Sequence, residues 1–276
     1  MMNNLIKRTL TGILFVAVVA GSILAGSYFL LILFSLITVA GLWEFYSLME
    51  KSGKADIEKP VHCFGGFLLL VAFYIYASTN YGTIVFIPYV IYFLYLFISQ
   101  LYLKKENPLQ NWAYAILGQV YIALPFGLLC LMPFFDGKTY QSVLPFAFFV
   151  FIWINDTGAY VVGSAFGRHK MFKRISPKKS WEGFFGGLIL SIATAIVFYY
   201  HFPGTLNVYE WIGMALVTVS FGTWGDLTES LLKRTINIKD SGAILPGHGG
   251  ILDRFDSVLL SAPACMIYFA ILNLIR

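Results

Sequence analysis

Charged residues are scarce in this chain. Asp, Glu, Lys and Arg make up 12% of its 276 residues, against about 25% in an ordinary soluble domain. Apolar residues make up 58%, which is more than a soluble domain of this size could bury while still covering its surface with polar groups. The scarcity of charge therefore excludes soluble globular, disordered and fibrous proteins and leaves an integral membrane protein.

Cysteine is also rare, and the three present lie far apart in apolar runs, at Cys63, Cys130 and Cys265. That spacing excludes both a cysteine zinc site and a disulfide framework, so we interpret them as packing residues. The alternating segments of about ten residues that build a membrane β-barrel are missing too, as are internal repeats. The sequence predicts an all-α, polytopic integral membrane protein with a single membrane domain over residues 1–276.

Long apolar runs, in contrast, are abundant. A spanning helix needs about 20 mostly apolar residues. Scanning for such runs predicts about nine transmembrane helices, near 9–26, 28–47, 61–79, 82–103, 112–133, 141–165, 183–202, 210–227 and 257–275. Only Gly26-Ser27 separates the first two, which predicts a tight helical hairpin. Residues 1–26 also resemble a secretory signal, but the second apolar run follows at once, which favours a retained first helix.

Positive charge is distributed on one side of the predicted membrane. If the N-terminus is cytoplasmic, all of the 19 Lys and Arg residues except Lys138 and Arg276 fall on the cytoplasmic side. Such asymmetry sets the orientation of membrane proteins. The net charge of +5 is then a property of the cytoplasmic face, where it attracts anionic headgroups and polyphosphates. It requires no nucleic-acid partner.

Acidic residues interrupt several of the apolar runs. A carboxylate at the middle of a span costs about 2.5–3.5 kcal/mol, so Asp156 and Asp226 are expected to face a cavity, a partner or a metal. For both residues the alternative is a packing salt bridge to a basic residue such as Lys233. Glu44 lies near the cytoplasmic end of the second span, and we interpret it as part of an interfacial ion pair.

The spacing of the acids indicates a metal site. Asp226, Glu229 and Lys233 follow an i, i+3, i+7 pattern and share one face of a helix, and Asp253 and Asp256 share a face at i, i+3. Carboxylates from two helices at one membrane boundary repel each other unless a cation lies between them. Oxygen ligands of this kind suit Mg²⁺. The alternative is that Asp253 and Asp256 only enrich a helix start in acids.

Basic residues and glycines accompany these carboxylates. The candidates for binding a polyphosphate are Lys233, Arg234, Lys239 and Arg254, and a second phosphate cradle is predicted at Ser176, Lys179 and Ser180. The glycine-rich turn Pro246–Gly250, which contains His248, Gly249 and Gly250, can direct backbone N–H groups at an anion. Ordinary flanking charge and an ordinary turn are the alternatives. The pattern predicts metal-dependent phosphate chemistry at the cytoplasmic face.

These motifs resemble a known family. The segment from Ser230 to Asp256, with Lys233-Arg234, Lys239-Asp240, Pro246-Gly247-His248-Gly249-Gly250 and Asp253-Arg254-Phe255-Asp256, resembles the signature of phosphatidate cytidylyltransferases, also called CDP-diacylglycerol synthases. Further similarity lies at Asp156–Gly163, Ser176–Gly183 and Trp43–Phe45. The resemblance places the site in residues 141–276, with the helices of 1–140 as a scaffold.

The resemblance implies that CTP and phosphatidic acid react to give CDP-diacylglycerol and pyrophosphate, with Mg²⁺; a second cation is compatible with such a centre. It also implies a homodimer among membrane lipids. The compact chain favours the bacterial inner (plasma) membrane, with a multi-pass fold and the active site facing the cytoplasm. By similarity Asp226 and Asp253 bind the metal, with Asp256 and Asp156 close by. Asp226, Asp253, Lys239 and Arg254 are the expected catalytic residues, and the expected substrate contacts are Ser176, Lys179, Ser180, Lys233, Arg234, His248, Gly249 and Gly250.

Two other functions are compatible with parts of this pattern. Another CTP-dependent membrane enzyme, such as a polyprenol or phytol kinase-like protein or a CDP-archaeol synthase, would need a similar nucleotide site and differ in its lipid pocket. A transporter would also carry intramembrane carboxylates. It is expected to show two related halves with broken helices, whereas the polar residues here crowd one face of one half. The Asp-x-x-Asp-Gly-x-x-Ala-Arg pattern of CDP-alcohol phosphatidyltransferases is missing.

Overall fold

The structure is a computed structural model that describes residues 4–242 and 249–275, with side chains from Thr9 onward. Its α-helices, in chain order, are α1 (Asn4–Ala25), α2 (Ser27–Lys51), α3 (Lys59–Ser78), α4 (Ile87–Leu103), α5 (Pro108–Gly118), α6 (Leu124–Leu129), α7 (Val143–Phe166), α8 (Trp181–His201), α9 (Val208–Thr235) and α10 (Leu252–Ile275). A π-helical turn, Gln119–Ala123, joins α5 to α6, and short 3₁₀ turns cover Gly82–Phe86 and Met132–Phe134.

Seven segments in the described part of the chain are long and apolar enough to cross a membrane: Ser27–Lys51, Lys59–Ser78, Gly82–Leu103, Pro108–Phe134, Val143–Phe166, Trp181–His201 and Leu252–Ile275. The all-α, polytopic class is therefore confirmed. All nine predicted spans fall on helices, but the count of nine is not confirmed. The apolar part of α1, Thr9–Ala25, is shorter than the other segments. Helix α9 carries five charged residues, including Asp226 and Lys233, which lower its hydropathy.

The break predicted at Gly26-Ser27 lies at Gly26, between α1 and α2. The φ of Gly26 is +124°, a backbone conformation that glycine adopts without the steric cost of a Cβ atom. Helices α1 and α2 pack against each other, as the predicted hairpin requires.

A short antiparallel hairpin joins α7 to α8, between the predicted spans 141–165 and 183–202. Its strands are β1 (Lys170–Phe172) and β2 (Ser176–Ser180), with Lys170 opposite Ser180. Glu182, in the first turn of α8, accepts a hydrogen bond from the backbone N–H of His169 at 3.1 Å and lies 2.6 Å from the Nδ1 atom of His169. This contact anchors the hairpin to the start of α8.

The chain divides into two compact units. The first comprises Met1–Gln141 and Asp240–Phe255, and the second comprises Ser142–Lys239 and Asp256–Arg276. The first border lies next to the predicted division at 140/141. The segment Asp240–Phe255 belongs to the first unit, although it carries part of the signature motif.

A buried polar network lies in the first unit. The Gln119 side chain donates to the Tyr46 hydroxyl at 3.1 Å and to the His62 carbonyl at 2.8 Å. The Tyr46 hydroxyl donates in turn to the carbonyl of Ala115 at 3.0 Å. Polar groups between apolar helices need partners inside the protein, and these bonds connect α2, α3, α5 and the π-helical turn.

Glycines set the helix spacing in the second unit. A Cβ atom at Gly183 would lie 2.8 Å from the carbonyl oxygen of Ala159, and one at Gly187 would lie 2.3 Å from Oδ1 of Asn155. A Cβ atom at Gly225 would lie 2.5 Å from the carbonyl oxygen of Asp256. Small residues allow close backbone approach between membrane helices. Helix α7 therefore packs closely on α8, and α9 packs closely on α10.

Candidate functional site

A cavity of about 580 Å³ lies in the second unit. Its wall is formed by α7, the β1–β2 hairpin, the start of α8, α9 and Ser257 of α10. The polar side chains in this wall are Asn155, Asp156, Tyr160, Ser164, Lys170, Lys178, Lys179, Ser180, Thr223, Asp226 and Ser257. The cavity thus combines carboxylates, ammonium groups and hydroxyls, which are the groups that bind phosphates and hard cations.

Asp226 and Lys179 form an ion pair in this cavity. Oδ2 of Asp226 lies 2.5 Å from Nζ of Lys179, and the two side chains are 31% and 26% exposed. Lys179 also lies 3.4 Å from the Thr223 carbonyl, and Asp226 accepts a hydrogen bond from the Ser230 hydroxyl at 3.3 Å. Two predicted site residues are therefore brought together, because β2 carries Lys179 to the side of α9.

Lys233 has a different partner from the one considered for it. It pairs with Glu229, one turn earlier on α9, and both side chains are buried. Its neighbour Arg234 is exposed and donates to the carbonyl of Ile238 at 3.0 Å, beyond the end of α9. Lys239, farther along, is exposed. The substrate-binding and catalytic roles expected for these three basic residues stay predictions.

Several carboxylates lie in the second unit around the cavity. Asp156 is exposed and lines it from α7. Asp256, on α10, is half-buried, and its Oδ1 accepts the N–H of Ser257 at 2.6 Å. Asp256 carries the same sign of charge as Asp156 and Asp226 of this unit, and neighbouring carboxylates repel one another in the absence of a cation.

The carboxylate oxygens of this unit are chemically suited to bind Mg²⁺. Asp156, Asp226 and Asp256 offer hard oxygen ligands, and Mg²⁺ is usually bound by one or two carboxylates together with water and substrate phosphate. Among the described residues, no group of three or more His, Cys, Asp or Glu side chains is arranged to hold a metal ion by itself.

Ser180 begins α8. Its side-chain oxygen accepts the backbone N–H of Gly183 at 3.2 Å, and it is the N-cap of that helix. The partial positive charge of a helix N-terminus favours anions, and Ser180 and Gly183 both line the cavity beside Lys178. Ser176, at the far end of β2, does not belong to the residues that line this cavity.

In the first unit, Asp253 organises the described ends of the glycine-rich segment. Its Oδ2 accepts the backbone N–H groups of Ser241 at 3.0 Å and Gly250 at 2.8 Å. Gly249 has a φ of +86°, and a Cβ atom there would lie 2.4 Å from that same oxygen. Arg254 is exposed in the first turn of α10. The predicted contact His248 lies outside the described residues.

Glu44 was interpreted as part of an interfacial ion pair, but it is buried, and no ion pair joins it to any residue that the structure describes. Glu44 is buried, and its carboxylate accepts hydrogen bonds from the backbone N–H groups of Ile251 at 2.8 Å and Leu252 at 3.2 Å and from the Ser241 hydroxyl. The N–H groups at the start of α10 satisfy this carboxylate, because the first turn of a helix leaves its N–H groups without partners inside the helix.

Comparison with known proteins shows the family to which the chain belongs. A sequence profile described as the cytidylyltransferase family matches residues 6–272. The chain belongs to this family. Among curated relatives, the chain is 38% identical over 160 residues to a phosphatidate cytidylyltransferase of Staphylococcus aureus (strain COL) and 40% identical over 164 residues to one of Staphylococcus haemolyticus (strain JCSC1435). Each match covers 58% of this chain and 60% of the relative.

Some residues that line the cavity were not predicted from the sequence. Asn155, Ser164, Thr223 and Ser257 line the cavity, yet single hydroxyl and amide residues inside apolar helices occur for many packing reasons. The spacing of Gly183 and Gly187 was a usable signal, because small residues four apart are typical of close helix contacts. It would have predicted the packing of α8 on another helix, and so which polar residues could share a cavity.

Proposed function

We propose that this chain transfers the cytidylyl group of CTP to phosphatidic acid, giving CDP-diacylglycerol and pyrophosphate. Membership of the cytidylyltransferase family and the names of the curated relatives support this proposal. The observation that carries it is the cavity itself, in which Asp156 and Asp226 share one wall with Lys170, Lys178 and Lys179. A site of this composition can receive a triphosphate and a lipid phosphate together.

The reaction is a displacement at phosphorus. An oxygen of the phosphatidate phosphate attacks the α-phosphorus of CTP and forms a new P–O bond. The bond from the α-phosphorus to the oxygen that bridges the β-phosphorus breaks, and pyrophosphate leaves with the electron pair. The attacking phosphate is already anionic at neutral pH, so no strong base is needed. The main obstacle is repulsion between two anions, and positioning and charge neutralisation overcome it.

The side chains of the cavity supply that neutralisation. Lys170, Lys178 and Lys179 offset the charge of the phosphates, and the Ser180 hydroxyl donates a hydrogen bond to a phosphate oxygen. Asp226 holds Lys179 in the cavity before substrate arrives, because the two side chains are paired. Preorganised charges of this kind need not reorganise at the moment of reaction.

The enzyme uses Mg²⁺ in this proposal. Asp156, Asp226 and Asp256 would hold the ion on the evidence of their oxygen donors, and Asp253 stays a predicted ligand. When bound, the metal withdraws charge from phosphate oxygens and so favours attack at phosphorus.

The reaction is proposed to take place at the cytoplasmic face of a membrane. The protein is a multi-pass membrane protein, and we infer from the distribution of Lys and Arg that the N-terminus and the site face the cytoplasm across the inner (plasma) membrane. We also propose a homodimer, on the resemblance alone. Light scattering of the detergent-solubilised protein measures its mass and would show a single chain if the dimer is wrong.

The decisive experiment is incorporation of labelled CTP into lipid by the purified protein. Phosphatidic acid is supplied with and without Mg²⁺, and Asp226→Asn is assayed beside the unaltered protein. Metal-dependent CDP-diacylglycerol with release of pyrophosphate, lost in the variant, is the expected result. Product formed only from a prenyl alcohol or archaeal lipid phosphate would overturn the lipid substrate. Binding of CTP without turnover on any lipid would overturn the enzymatic function.

A further inference from the structure

Glu44 does not belong to the residues that line the cavity. It lies on α2, which is long and apolar enough to span a membrane, and it is only 5% exposed. A carboxylate in such surroundings is costly unless hydrogen-bond donors meet its charge. The segment Asp240–Phe255 of the same unit provides those donors.

The donors come from both described ends of this segment. Ile251 donates its N–H to Oε2 of Glu44 at 2.8 Å, and Leu252 donates its N–H to Oε1 at 3.2 Å. Ser241, on the other side of the glycine-rich turn, donates its hydroxyl to Oε1. One carboxylate of α2 therefore joins the two ends of the segment and satisfies the first N–H groups of α10.

Two glycines make room for this carboxylate. A Cβ atom at Gly250 would lie 2.0 Å from Oε1 of Glu44, and one at Gly242 would lie 2.7 Å from Oε2. The φ of Gly250 is not in the left-handed region, unlike that of Gly249. The need for glycine at 250 is therefore one of space beside Glu44 and Ser241, not of backbone conformation.

The contacts of Glu44 extend to a predicted catalytic residue. Ser241, whose hydroxyl bonds Glu44, donates its backbone N–H to Asp253 at 3.0 Å. Gly250, packed against Glu44, donates its N–H to the same oxygen of Asp253 at 2.8 Å. Glu44 therefore bonds Ser241 directly and lies close beside Gly250, and each of these residues donates a backbone N–H to Asp253.

We propose that Glu44 is a positioning residue, which holds the two described ends of the segment Asp240–Phe255 and thereby fixes the orientation of Asp253 and Arg254 in the first turn of α10. The proposal rests on the proposed function, because the orientation matters for turnover only if these residues serve CTP. Loss of Glu44 is therefore expected to lower kcat/KM for CTP and to leave the KM for phosphatidate unchanged.

The first test is Glu44→Gln in the full-length protein. In either orientation of the amide, its N–H₂ group faces the backbone N–H of Ile251 or of Leu252, so one donor faces another. We expect kcat/KM for CTP to fall by about tenfold or more, the factor that one charge-assisted hydrogen bond supplies. The KM for phosphatidate is expected to stay unchanged. Hydrogen exchange at Ile251 and Leu252, followed by mass spectrometry, is expected to accelerate.

The matched control is Glu50→Gln on the same helix. Glu50 forms an ion pair with Lys59 at 2.7 Å, and both side chains are partly exposed. This control removes one carboxylate charge from α2 without touching the segment. We expect its kinetic constants and its hydrogen exchange over Asp240–Phe255 to match those of the unaltered protein.

A double-mutant cycle separates positioning from general damage. Gly250→Ala introduces a methyl group beside the Glu44 carboxylate and is expected to lower kcat/KM for CTP strongly. In a Glu44→Ala background the carboxylate is removed, and of the three atoms nearest the new Cβ atom only the Ser241 hydroxyl oxygen remains, so the same substitution is expected to cost less. Contacting residues give such non-additive effects, whereas independent sites give additive ones.

The outcomes distinguish this proposal from the proposed function. If the unaltered protein makes no CDP-diacylglycerol, the proposed function fails, while hydrogen exchange still tests whether Glu44 holds the segment. Unchanged kinetics and exchange in Glu44→Gln overturn the positioning role. Additive effects of Glu44→Ala and Gly250→Ala overturn it as well, as does a lower thermal midpoint with the KM for CTP and the exchange unaltered.

Discussion

Nζ of Lys179 lies 2.5 Å from Oδ2 of Asp226, in the cavity of the second unit. The lysine comes from the hairpin that joins α7 to α8, and the aspartate comes from α9. A residue predicted to bind phosphate therefore meets a residue predicted to bind a metal. The pair keeps a positive group beside the carboxylate, and it can separate when substrate phosphate competes for the lysine.

Replacing Lys179 by methionine is expected to lower turnover strongly and to change the stability of the protein little. The ion pair is partly exposed, and pairs of that kind contribute only about 0–1 kcal/mol to folding. Turnover is expected to fall by about a hundredfold or more, because an ammonium group preorganised for phosphate is lost. The measurements are the CTP assay and the thermal midpoint in detergent.

Lys59→Met is the matched control for that prediction. Lys59 pairs with Glu50 at 2.7 Å, with exposed fractions of 24% and 30%, close to those of Lys179 and Asp226. We expect a similarly small change in the midpoint and normal turnover. Equal losses of activity in the two variants would contradict a specific role for Lys179.

Asp253→Asn is expected to abolish turnover while the protein stays folded. The asparagine side-chain oxygen can still accept the N–H groups of Ser241 and Gly250, but the negative charge is gone. Asp253→Ala loses the acceptor as well, which is expected to cost a further 1–2 kcal/mol or so of stability. Normal turnover by the asparagine variant would remove Asp253 from the metal site.

Gly187→Ala is expected to destabilise the second unit. The added methyl group would lie 2.3 Å from Oδ1 and 2.6 Å from the carbonyl oxygen of Asn155, and overpacking of this kind costs about 1–3 kcal/mol. Gly21→Ala on α1 is the control, because no atom lies within 4 Å of the new Cβ. Thermal unfolding in detergent compares them, and equal midpoints would show that α7 and α8 do not need this close contact.

Ser180→Ala tests whether this serine has two functions. The loss of the N-cap is expected to lower stability by about 1 kcal/mol. If the hydroxyl also donates to a phosphate, the KM for CTP or for phosphatidate rises in addition. Ser180→Asn restores the cap, since asparagine is a good N-cap, but not the small hydroxyl. Unchanged KM values in both variants would limit Ser180 to a capping role.

Much of the site was predictable because its residues lie close together in sequence. The i, i+3 and i+4 spacings place side chains on one face of a helix whatever the rest of the fold. The pairing of Glu229 with Lys233 follows that rule. Asp156 was predicted because it interrupts an apolar run, and Lys179 because serines bracket it; both share the cavity with Asp226.

The sequence by itself determined the class of the protein. Hydropathy can be read along the chain without knowledge of the fold, and several runs of about 20 apolar residues are each long enough to cross the lipid core as a helix. Only the tertiary structure decided the partners. Asp226 pairs with Lys179, and Glu44 meets Ser241, Ile251 and Leu252. Each of these contacts joins segments distant in sequence. The distances in such contacts depend on how the helices pack. Glycines such as Gly183 and Gly225 allow close packing, but the sequence does not say which backbone will lie against them.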